Sequence, residues 1–235
     1  MESIDKVHGT FERRITDAQK PTVSSAVIKR LPRYHRYLGD LLADGVLRIS
    51  SAELSRLMNV TASQIRQDLN CFGGFGQQGY GYNVDYLYNK MVDILCLNSG
   101  YRAIILGAGN LGSALVHSPM FPKVGVTPVA MFDVRPEIIG KKIADIPVFG
   151  IDKLEDFCKK TRVDIAILTL SRAAAPEVAK RLRDCGIIAI WNFTNAKLGL
   201  DEKDTIIESV HMSDSLMTLT YRLGFHNKME EKNGK

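Results

Sequence analysis

The segment RAIILGAGNLG (residues 102–112) decides the fold of the C-terminal part of this chain. A short apolar run leads directly into Gly107, Gly109 and Gly112, and a helical pattern continues over 111–117. The first glycine permits a tight turn, the second lets the backbone approach a pyrophosphate, and the third allows a helix to pack closely on a strand. The pattern therefore predicts a strand, a phosphate-binding turn and a helix whose N-terminus faces an anion.

The sequence around this turn extends the prediction to a dinucleotide. Asp133 ends the next apolar run, 21 residues after Gly112. A carboxylate at this place can accept hydrogen bonds from the hydroxyls of an adenosine ribose. Its charge favours NAD(H) over NADP(H), although Arg135 could soften that preference. CoA or another nucleotide remains an alternative ligand. With side chains that end later strands on the ligand side of the sheet, the predicted contacts are Gly107, Ala108, Gly109, Asn110, Leu111, Gly112, Asp133, Thr169, Asn192 and Phe193.

Beyond Gly100, short apolar runs alternate with helical patterns. The runs lie at 103–106, 126–132, 163–170 and 187–193, and the helical patterns between them lie at 111–117, 154–161 and 176–185. Such alternation is typical of βαβ units that build a parallel sheet covered on both faces. The fold class is therefore α/β.

The first hundred residues follow a different pattern. A helix is predicted over 22–45, where Pro32 is tolerable only near the helix start, and a short strand-like link follows at 46–49. Ser50 with Glu53, and then Thr61 with Gln64, form capping patterns that begin two further helices separated by a tight turn. This spacing is typical of a helix-turn-helix motif. Five glycines between 73 and 81 predict a hairpin, which would be the wing of such a domain.

The third of these helices has an outer face suited to reading bases. Gln, Asn and Arg make bidentate contacts with adenine and guanine in the major groove, and a basic segment at 29–36 would bind phosphates. A helical bundle with a solvated polar face is the alternative. The predicted DNA contacts are Lys29, Arg30, Arg33, Arg36, Ser63, Gln64, Arg66, Gln67, Asn70, Gln77, Gln78 and Tyr80.

Composition excludes several classes of protein. The 235 residues carry 31 basic and 26 acidic side chains, a net charge of +5, which is compatible with an anionic partner. The four cysteines form no CxxC pair, so we expect no metal site and a reducing compartment. No apolar run is long enough to span a bilayer, and the N-terminus lacks a secretory pattern. We predict a cytoplasmic protein with no membrane partner.

Taken together, these motifs resemble the redox-sensing transcriptional repressor Rex family over residues 25–223. The resemblance implies a homodimer whose winged helices bind a palindromic operator in double-stranded DNA, a C-terminal helix exchanged between subunits, and release of DNA when NADH binds. It implies no catalytic residue. The segments that carry it are IKRLPRYHRYL, SSAELSRLMNVTASQIRQDL, FGGFGQQGYGY, ILGAGNLGSAL, FDVRPEIIGKKI, DIAILTL and WNFTNAKL.

On this basis the chain divides into four parts: a flexible arm at 1–20, a winged helix-turn-helix domain at 21–98, a Rossmann NAD(H)-binding domain at 99–211, and a dimerisation helix with its tail at 212–235. The full prediction is an α/β chain in which a winged helix-turn-helix domain precedes a Rossmann dinucleotide-binding domain and a C-terminal exchanged helix.

Departures from the family pattern leave alternatives open. Gln67 stands where the family usually has a lysine, and Gln77 and Gln78 stand where the wing usually has Lys-Arg. Ser118 and His211 replace a tyrosine and an aspartate that together switch the nucleotide states. A regulator of the same fold with altered or lost redox discrimination is therefore one alternative. An NAD-dependent dehydrogenase, which needs a general acid or base near the nicotinamide, is another.

Overall fold

The computed structural model describes residues 23–76, 80–201 and 203–233. The chain separates into two compact units between Cys96 and Leu97, and each is described by itself. The predicted arm at 1–20 and the predicted DNA contacts Gln77 and Gln78 lie outside the described residues.

The N-terminal unit is built from helices that begin where the capping patterns predict. Ser50 and Glu53 form a complete capping box, and the Thr61 hydroxyl accepts a hydrogen bond from the backbone N–H of Gln64. Asn59 adopts a left-handed conformation in the turn between these two helices. The elements are α1 (Ser25–Ala43), β1 (Arg48–Ile49), α2 (Ser51–Met58), α3 (Ala62–Asn70), β2 (Tyr82–Asn83) and α4 (Val84–Ile94).

Pro32 lies inside α1, so the prediction that it must stand near a helix start is wrong. Its ring is on the exposed face of the helix, while Leu31, Tyr34 and Leu38 on the opposite face are buried. Burial of these side chains offsets the backbone hydrogen bond that proline cannot make. They share one apolar core with residues from every other element of the unit, including Leu54, Met58, Ile65, Leu69, Leu87 and Met91.

The hairpin predicted in the glycine-rich stretch includes residues 77–79, which lie outside the described residues. The described part of this stretch contains one short strand, β2, which pairs antiparallel with β1, the strand that precedes the helix-turn-helix in the chain. Gly81 has a φ of +69°, and a β-carbon there would lie 2.6 Å from the carbonyl oxygen of Ile49. Only glycine permits this close approach, and it fixes the base of the wing against the strand before α2.

The C-terminal unit is a seven-stranded sheet with helices between its strands. Its strand order is β5-β6-β4-β3-β7-β8-β9, with every pair parallel except β5 with β6. Apart from the edge strand β5, this is the dinucleotide-binding order 3-2-1-4-5-6. The elements are β3 (Tyr101–Leu106), α5 (Asn110–His117), α6 (Met120–Lys123), β4 (Val126–Asp133), β5 (Lys142–Ile143), β6 (Ile146–Gly150), α7 (Leu154–Lys160), β7 (Ile165–Leu168), α8 (Ala175–Asp184), β8 (Ala189–Asn192), β9 (Ile206–Ser209) and α9 (Met212–Asn233).

The central strands supply two cores because successive side chains point to opposite faces. Ile104 and Leu106 pack on one face with α7 and α8. Ile105 and Met131 pack on the other face with Phe121 and the half-buried side chains of α5. This confirms the prediction of a parallel sheet covered on both faces.

Three strands have no counterpart in the sequence prediction. β5 and β6 form a hairpin whose two turn residues, Ala144 and Asp145, both have positive φ. This turn usually carries Asn-Gly or Asp-Gly, so Ala-Asp gives no sequence signal. β9 is a short edge strand whose side chains are mostly exposed, so it lacks an apolar run.

Helix α9 is the least buried element of this unit. Every side chain described over 212–230 is exposed. Large apolar side chains are among them, namely Met212, Leu216, Met217, Leu219, Tyr221, Leu223, Phe225 and Met229. In the part of the chain that the structure describes, no helix combines the length and hydropathy needed to cross a membrane.

Gly125, just before β4, provides a test of this fold. Its φ is +66°, and a β-carbon would overlap the carbonyl oxygen of Leu97, whereas Gly199 has a φ of +68° with open space around it. We expect Gly199→Ala to cost about 1–2 kcal/mol of unfolding free energy from backbone strain alone. Gly125→Ala should cost at least about 3 kcal/mol, because strain and overlap add.

Urea unfolding followed by fluorescence measures this difference, since Trp191, the one tryptophan of the chain, lies in β8 of the same unit. Equal losses in the two variants would contradict the close approach of Gly125 to Leu97.

Candidate functional site

The glycine turn lies where the strand order of the sheet reverses. β3 is flanked by β4 on one side and β7 on the other, and the turn follows the carboxyl end of β3. The backbone N–H of Gly107 donates to the carbonyl of Phe132 at 2.7 Å, and that of Thr169 donates to the carbonyl of Leu106 at 2.8 Å. In open parallel sheets, ligands bind in the crevice at such a reversal.

The three glycines meet different surroundings. Gly107 has a φ of +101°, and a β-carbon there would lie 2.8 Å from the carbonyl of Thr169. A β-carbon on Gly112 would overlap the carbonyl oxygen of Gly107, whereas one on Gly109 would meet nothing within 4 Å. The first and third glycines are therefore required by packing, while the second borders open space that a ligand can occupy.

Helix α5 begins directly after this open space. Its N-cap is Gly109, which offers no side chain to the free N–H groups of the first turn. These groups and the positive end of the helix dipole favour an anion. The Thr169 hydroxyl donates to the carbonyl of Gly107 at 2.7 Å, so it holds the turn in place.

Asp133, at the end of β4, is 8% exposed and already surrounded by donors. One oxygen accepts from the backbone N–H groups of Val134 and Arg135, and the other accepts from that of Ala108 at 2.7 Å. The guanidinium of Arg135 bonds to both oxygens. Burial raises the pKa of Asp133, but the hydrogen bonds from Arg135 and Ala108 outweigh it and hold the pKa below its ordinary value. The carboxylate is therefore ionised and fixed in position.

Asn192, one of the predicted nucleotide contacts, bonds within the protein. Its side chain is 1% exposed. It donates to the carbonyl of Ala196 and the hydroxyl of Ser209, and its oxygen accepts from the backbone and hydroxyl of Thr194. These four bonds use the whole capacity of the amide. Asn192 therefore braces the loop after β8, and half-buried Phe193, at the start of that loop, donates its backbone N–H to the carbonyl of Leu168 at the end of β7.

In the N-terminal unit, a buried polar network joins the predicted recognition helix α3 to α1. Asp68 on α3 is fully buried, and its carboxylate accepts two bonds from Arg30, at 2.6 and 2.7 Å. It also accepts from the hydroxyl of Tyr34 at 2.9 Å and from the amide of Gln64 at 2.8 Å. Burial raises the pKa of Asp68, but the bonds from Arg30, Gln64 and Tyr34 hold it below its ordinary value.

This network gives part of the predicted DNA-contact set a role within the unit. Arg30 and Gln64 bond to Asp68, and the guanidinium of Arg33 donates to the carbonyl of Met58. A sequence pattern shows polar side chains without their partners, so it assigned these three to DNA. The predicted contacts that are exposed are Lys29, Arg36, Ser63, Arg66, Gln67, Asn70 and Tyr80.

Arg48 is an exposed cation that the sequence analysis overlooked. On β1 it alternates with buried Ile49. Its guanidinium donates to the carbonyl of Tyr80 at 3.3 Å and lies 6.0 Å from the centre of the Tyr80 ring. The alternation of Arg48 with Ile49 in a short strand was the available sequence signal that Arg48 is exposed. The pairing of β1 with β2, which brings Arg48 to Tyr80, depends on the tertiary structure.

The two departures from the family pattern that lie in the C-terminal unit make local contacts. The Ser118 hydroxyl accepts from the backbone N–H of Met120 at 3.3 Å. His211, just before α9, lies with its Nδ1 atom 2.7 Å from the side-chain oxygen of Asn195, which has a left-handed φ of 54°.

Two family descriptions match successive parts of the chain. Residues 22–70 match "Putative DNA-binding protein N-terminus", and residues 98–196 match "CoA binding domain".

Relatives match nearly the whole chain. A "Redox-sensing transcriptional repressor Rex" from Thermoanaerobacter sp. (strain X514) is 53% identical over 206 residues, 88% of this chain and 92% of the relative. The protein of the same name from Caldicellulosiruptor bescii (strain ATCC BAA-1888 / DSM 6725 / KCTC 15123 / Z-1320) is 50% identical over 214 residues, 91% of this chain and 97% of the relative.

Solved structures show the same similarity. The crystal structure of RSP in complex with β-NAD+ and operator DNA is 51% identical and superposes with a TM-score of 0.82, over 91% of this chain and 98% of that chain. The complex of RSP with β-NADH has a TM-score of 0.83 at 48% identity, over 89% of this chain and 98% of that chain.

The Asp68 network yields a prediction about the recognition helix. Asp68→Ala would leave the Tyr34 hydroxyl and the Arg30 guanidinium without their buried acceptor, so we expect a loss of about 3 kcal/mol. Hydrogen exchange of the α3 amides should then accelerate roughly a hundredfold. Asp93→Ala is the control, because its pair with Lys90 is exposed and worth at most about 1 kcal/mol.

The pH dependence follows from the lowered pKa of Asp68. The stabilisation is complete above the ordinary carboxyl pKa of about 3.9 and is lost as the pH falls through the lower folded value. The difference between wild type and Asp68→Ala should therefore shrink below about pH 4. A difference independent of pH there would contradict an ionised Asp68.

Proposed function

This chain belongs to the Rex family of redox-sensing transcriptional repressors, and from that premise we propose that it binds a palindromic operator as a homodimer and releases it when NADH binds. The observation that carries the proposal is the combination of two sites in one chain: the exposed polar face of α3 and the glycine turn at the sheet reversal. The solved RSP structures are complexes of a relative with operator DNA and β-NAD+ and with β-NADH.

At the nucleotide site, we assign the pyrophosphate to the turn and the first turn of α5, with backbone from Gly107, Ala108, Gly109, Asn110, Leu111 and Gly112. We assign Asp133 to the adenosine ribose, whose hydroxyls donate to its carboxylate. Phe193 flanks the nicotinamide end of the crevice. Thr169 and Asn192 hold the surrounding loops. NAD+ and NADH in the RSP structures support NAD(H) over CoA as the ligand.

At the DNA site, α3 enters the major groove and Ser63, Arg66, Gln67 and Asn70 face the bases. Arg66 is held toward α2 by a bond to the Ser51 hydroxyl at 3.1 Å. The exposed cations Lys29, Arg36 and Arg48 contact phosphates, with Tyr80 beside Arg48 at the wing. Phosphate contacts orient the domain, while base contacts select the sequence.

The homodimer accounts for the surface of α9. A large exposed apolar surface on one helix is typical of an interface, and a second copy of the chain that contributes the same helix would bury it symmetrically. NADH would then favour a dimer geometry in which the two α3 helices no longer match successive operator half-sites. This is a population shift driven by tighter NADH binding to the geometry that releases DNA. Because its operator is genomic DNA, we place the protein in the cytoplasm.

The family assigns the chain to repressors rather than to enzymes, so it is not an NAD-dependent dehydrogenase. The alternative within the family is a repressor that does not discriminate NADH from NAD+, because Ser118 and His211 replace the residues that usually switch the two states. One experiment separates these two functions.

The experiment titrates NADH and NAD+ against the full-length protein bound to a fluorescent DNA selected by the protein from a random-sequence pool. NADH should dissociate the complex at concentrations where NAD+ leaves it intact. Gly109→Val is the matched variant: it has space in the fold but obstructs the backbone approach to the pyrophosphate. We expect it to bind DNA and to ignore NADH.

Equal release by both nucleotides would reject redox sensing and favour the alternative. A normal NADH response in Gly109→Val would show that the nucleotide lies elsewhere. Failure of the wild-type chain to select any DNA would overturn the proposed function.

The DNA contacts predict two different losses of affinity. Arg66→Ala should weaken binding to the selected sequence by about 1–3 kcal/mol and relax its preference, because a base contact is lost. Arg36→Ala should weaken binding to all sequences alike. The slope of the logarithm of affinity against the logarithm of salt concentration should fall by about 1 in magnitude, because one phosphate contact is lost.

Binding isotherms at several salt concentrations distinguish the two, with Lys90→Ala on α4 as the control for loss of one exposed charge. A uniform loss in Arg66→Ala would assign that residue to phosphate.

A further inference from the structure

The adenosine end of the nucleotide crevice is occupied by an ion pair whose acceptor capacity is already used. A carboxylate offers about four lone-pair positions. Asp133 accepts three backbone N–H bonds, from Ala108, Val134 and Arg135, and two from the guanidinium of Arg135, at 3.0 and 3.2 Å. A ribose hydroxyl that donates to Asp133 therefore competes with the guanidinium for the same oxygens.

Arg135 is anchored at the phosphate turn as well as at Asp133. Its Nη2 atom donates to the carbonyl of Ala108 at 2.9 Å. The contacts described for this side chain use Nε and Nη2, and both N–H groups of Nη1 remain for a ligand. With its side chain 44% exposed, the guanidinium lies between the ribose-binding carboxylate and solvent.

The charge of this ion pair also favours a phosphate ligand. A bare carboxylate at the end of this strand repels the 2′-phosphate that distinguishes NADP(H) from NAD(H). Here the Arg135 guanidinium neutralises Asp133 at hydrogen-bond distance and presents a planar donor group suited to phosphate. The other carboxylate whose charge reaches Arg135 belongs to exposed Glu137, which opposes a phosphate from the solvent side.

We propose that Arg135 makes this crevice accept a 2′-phosphate, so that NADPH as well as NADH is a ligand of the same site. In the NADPH complex, Arg135 stays paired with Asp133 and donates from Nη1 to the 2′-phosphate. In the NADH complex, the guanidinium swings outward and frees the carboxylate for the ribose. The inference rests on the nucleotide site of the proposed function and adds to it the class of dinucleotide accepted.

The test compares dissociation constants of NADPH and NADH for the full-length protein, since these ligands differ only in the 2′-phosphate. Energy transfer from Trp191, the one tryptophan, to the bound reduced nicotinamide reports both titrations. In the wild type we expect NADPH to bind within about tenfold of NADH, a difference of at most about 1.4 kcal/mol.

Substitutions at Arg135 should change the ratio of the two constants. Arg135→Ala should raise the NADPH/NADH ratio at least tenfold, because NADPH loses a charge-assisted contact and the freed carboxylate tightens NADH binding. Arg135→Lys, which keeps the charge without the planar donor group, should give an intermediate ratio.

Arg162→Ala is the matched control. Arg162 pairs with Asp164 two residues away, by an Nε contact of 2.8 Å, just before the amino end of β7 and therefore at the opposite end of the strands from the nucleotide crevice. Its ratio should equal that of the wild type.

The outcomes separate the two proposals. A wild-type NADPH affinity more than tenfold below that of NADH, or a rise of less than tenfold in Arg135→Ala, overturns the role of Arg135 and leaves the NADH site intact. Failure to bind either nucleotide overturns the proposed nucleotide site and this inference with it.

Discussion

The contact between Gly112 and Gly107 is the constraint on which the nucleotide site depends. No β-carbon fits between the first turn of α5 and the carbonyl of Gly107, so the helix packs directly on the turn that leaves β3. The hydroxyl of Thr169, the residue after β7, donates to the same carbonyl. Because these contacts join the two strands that flank the sheet reversal, they bring free helix N–H groups to the place where a parallel sheet opens.

In the N-terminal unit, a charged group holds the functional helix in position. A buried carboxylate, Asp68, holds the helix that would read DNA against the helix before the motif. Removing Asp68 from water is costly, and the fixed bonds from Arg30, Tyr34 and Gln64 compensate for it. Arg30 and Gln64 therefore hold α3 in place, while the exposed side chains on the opposite face of α3 are available to DNA.

Periodic and local signals were read correctly from the sequence. The buried strands, the capping of α2 and α3 and the glycine turn were predicted, because each depends on residues close together in the chain. β5, β6 and β9 were missed, because their turn residues and polar edges carry no such signal. The pairing of β2 with β1 was also missed, because it joins residues about 34 positions apart.

Local sequence was sufficient for the family, the fold class and the position of the phosphate turn, since strand, turn and helix form from consecutive residues. Assigning roles to individual polar side chains required the folded chain. Asn192, Arg30 and Gln64 have the chemistry of ligand-binding residues, but each bonds within the protein, and Asn192 uses its whole amide there. Whether a polar group faces a ligand or a neighbouring element depends on what packing brings beside it, and those partners can lie many residues away, as Asp68 does from Arg30.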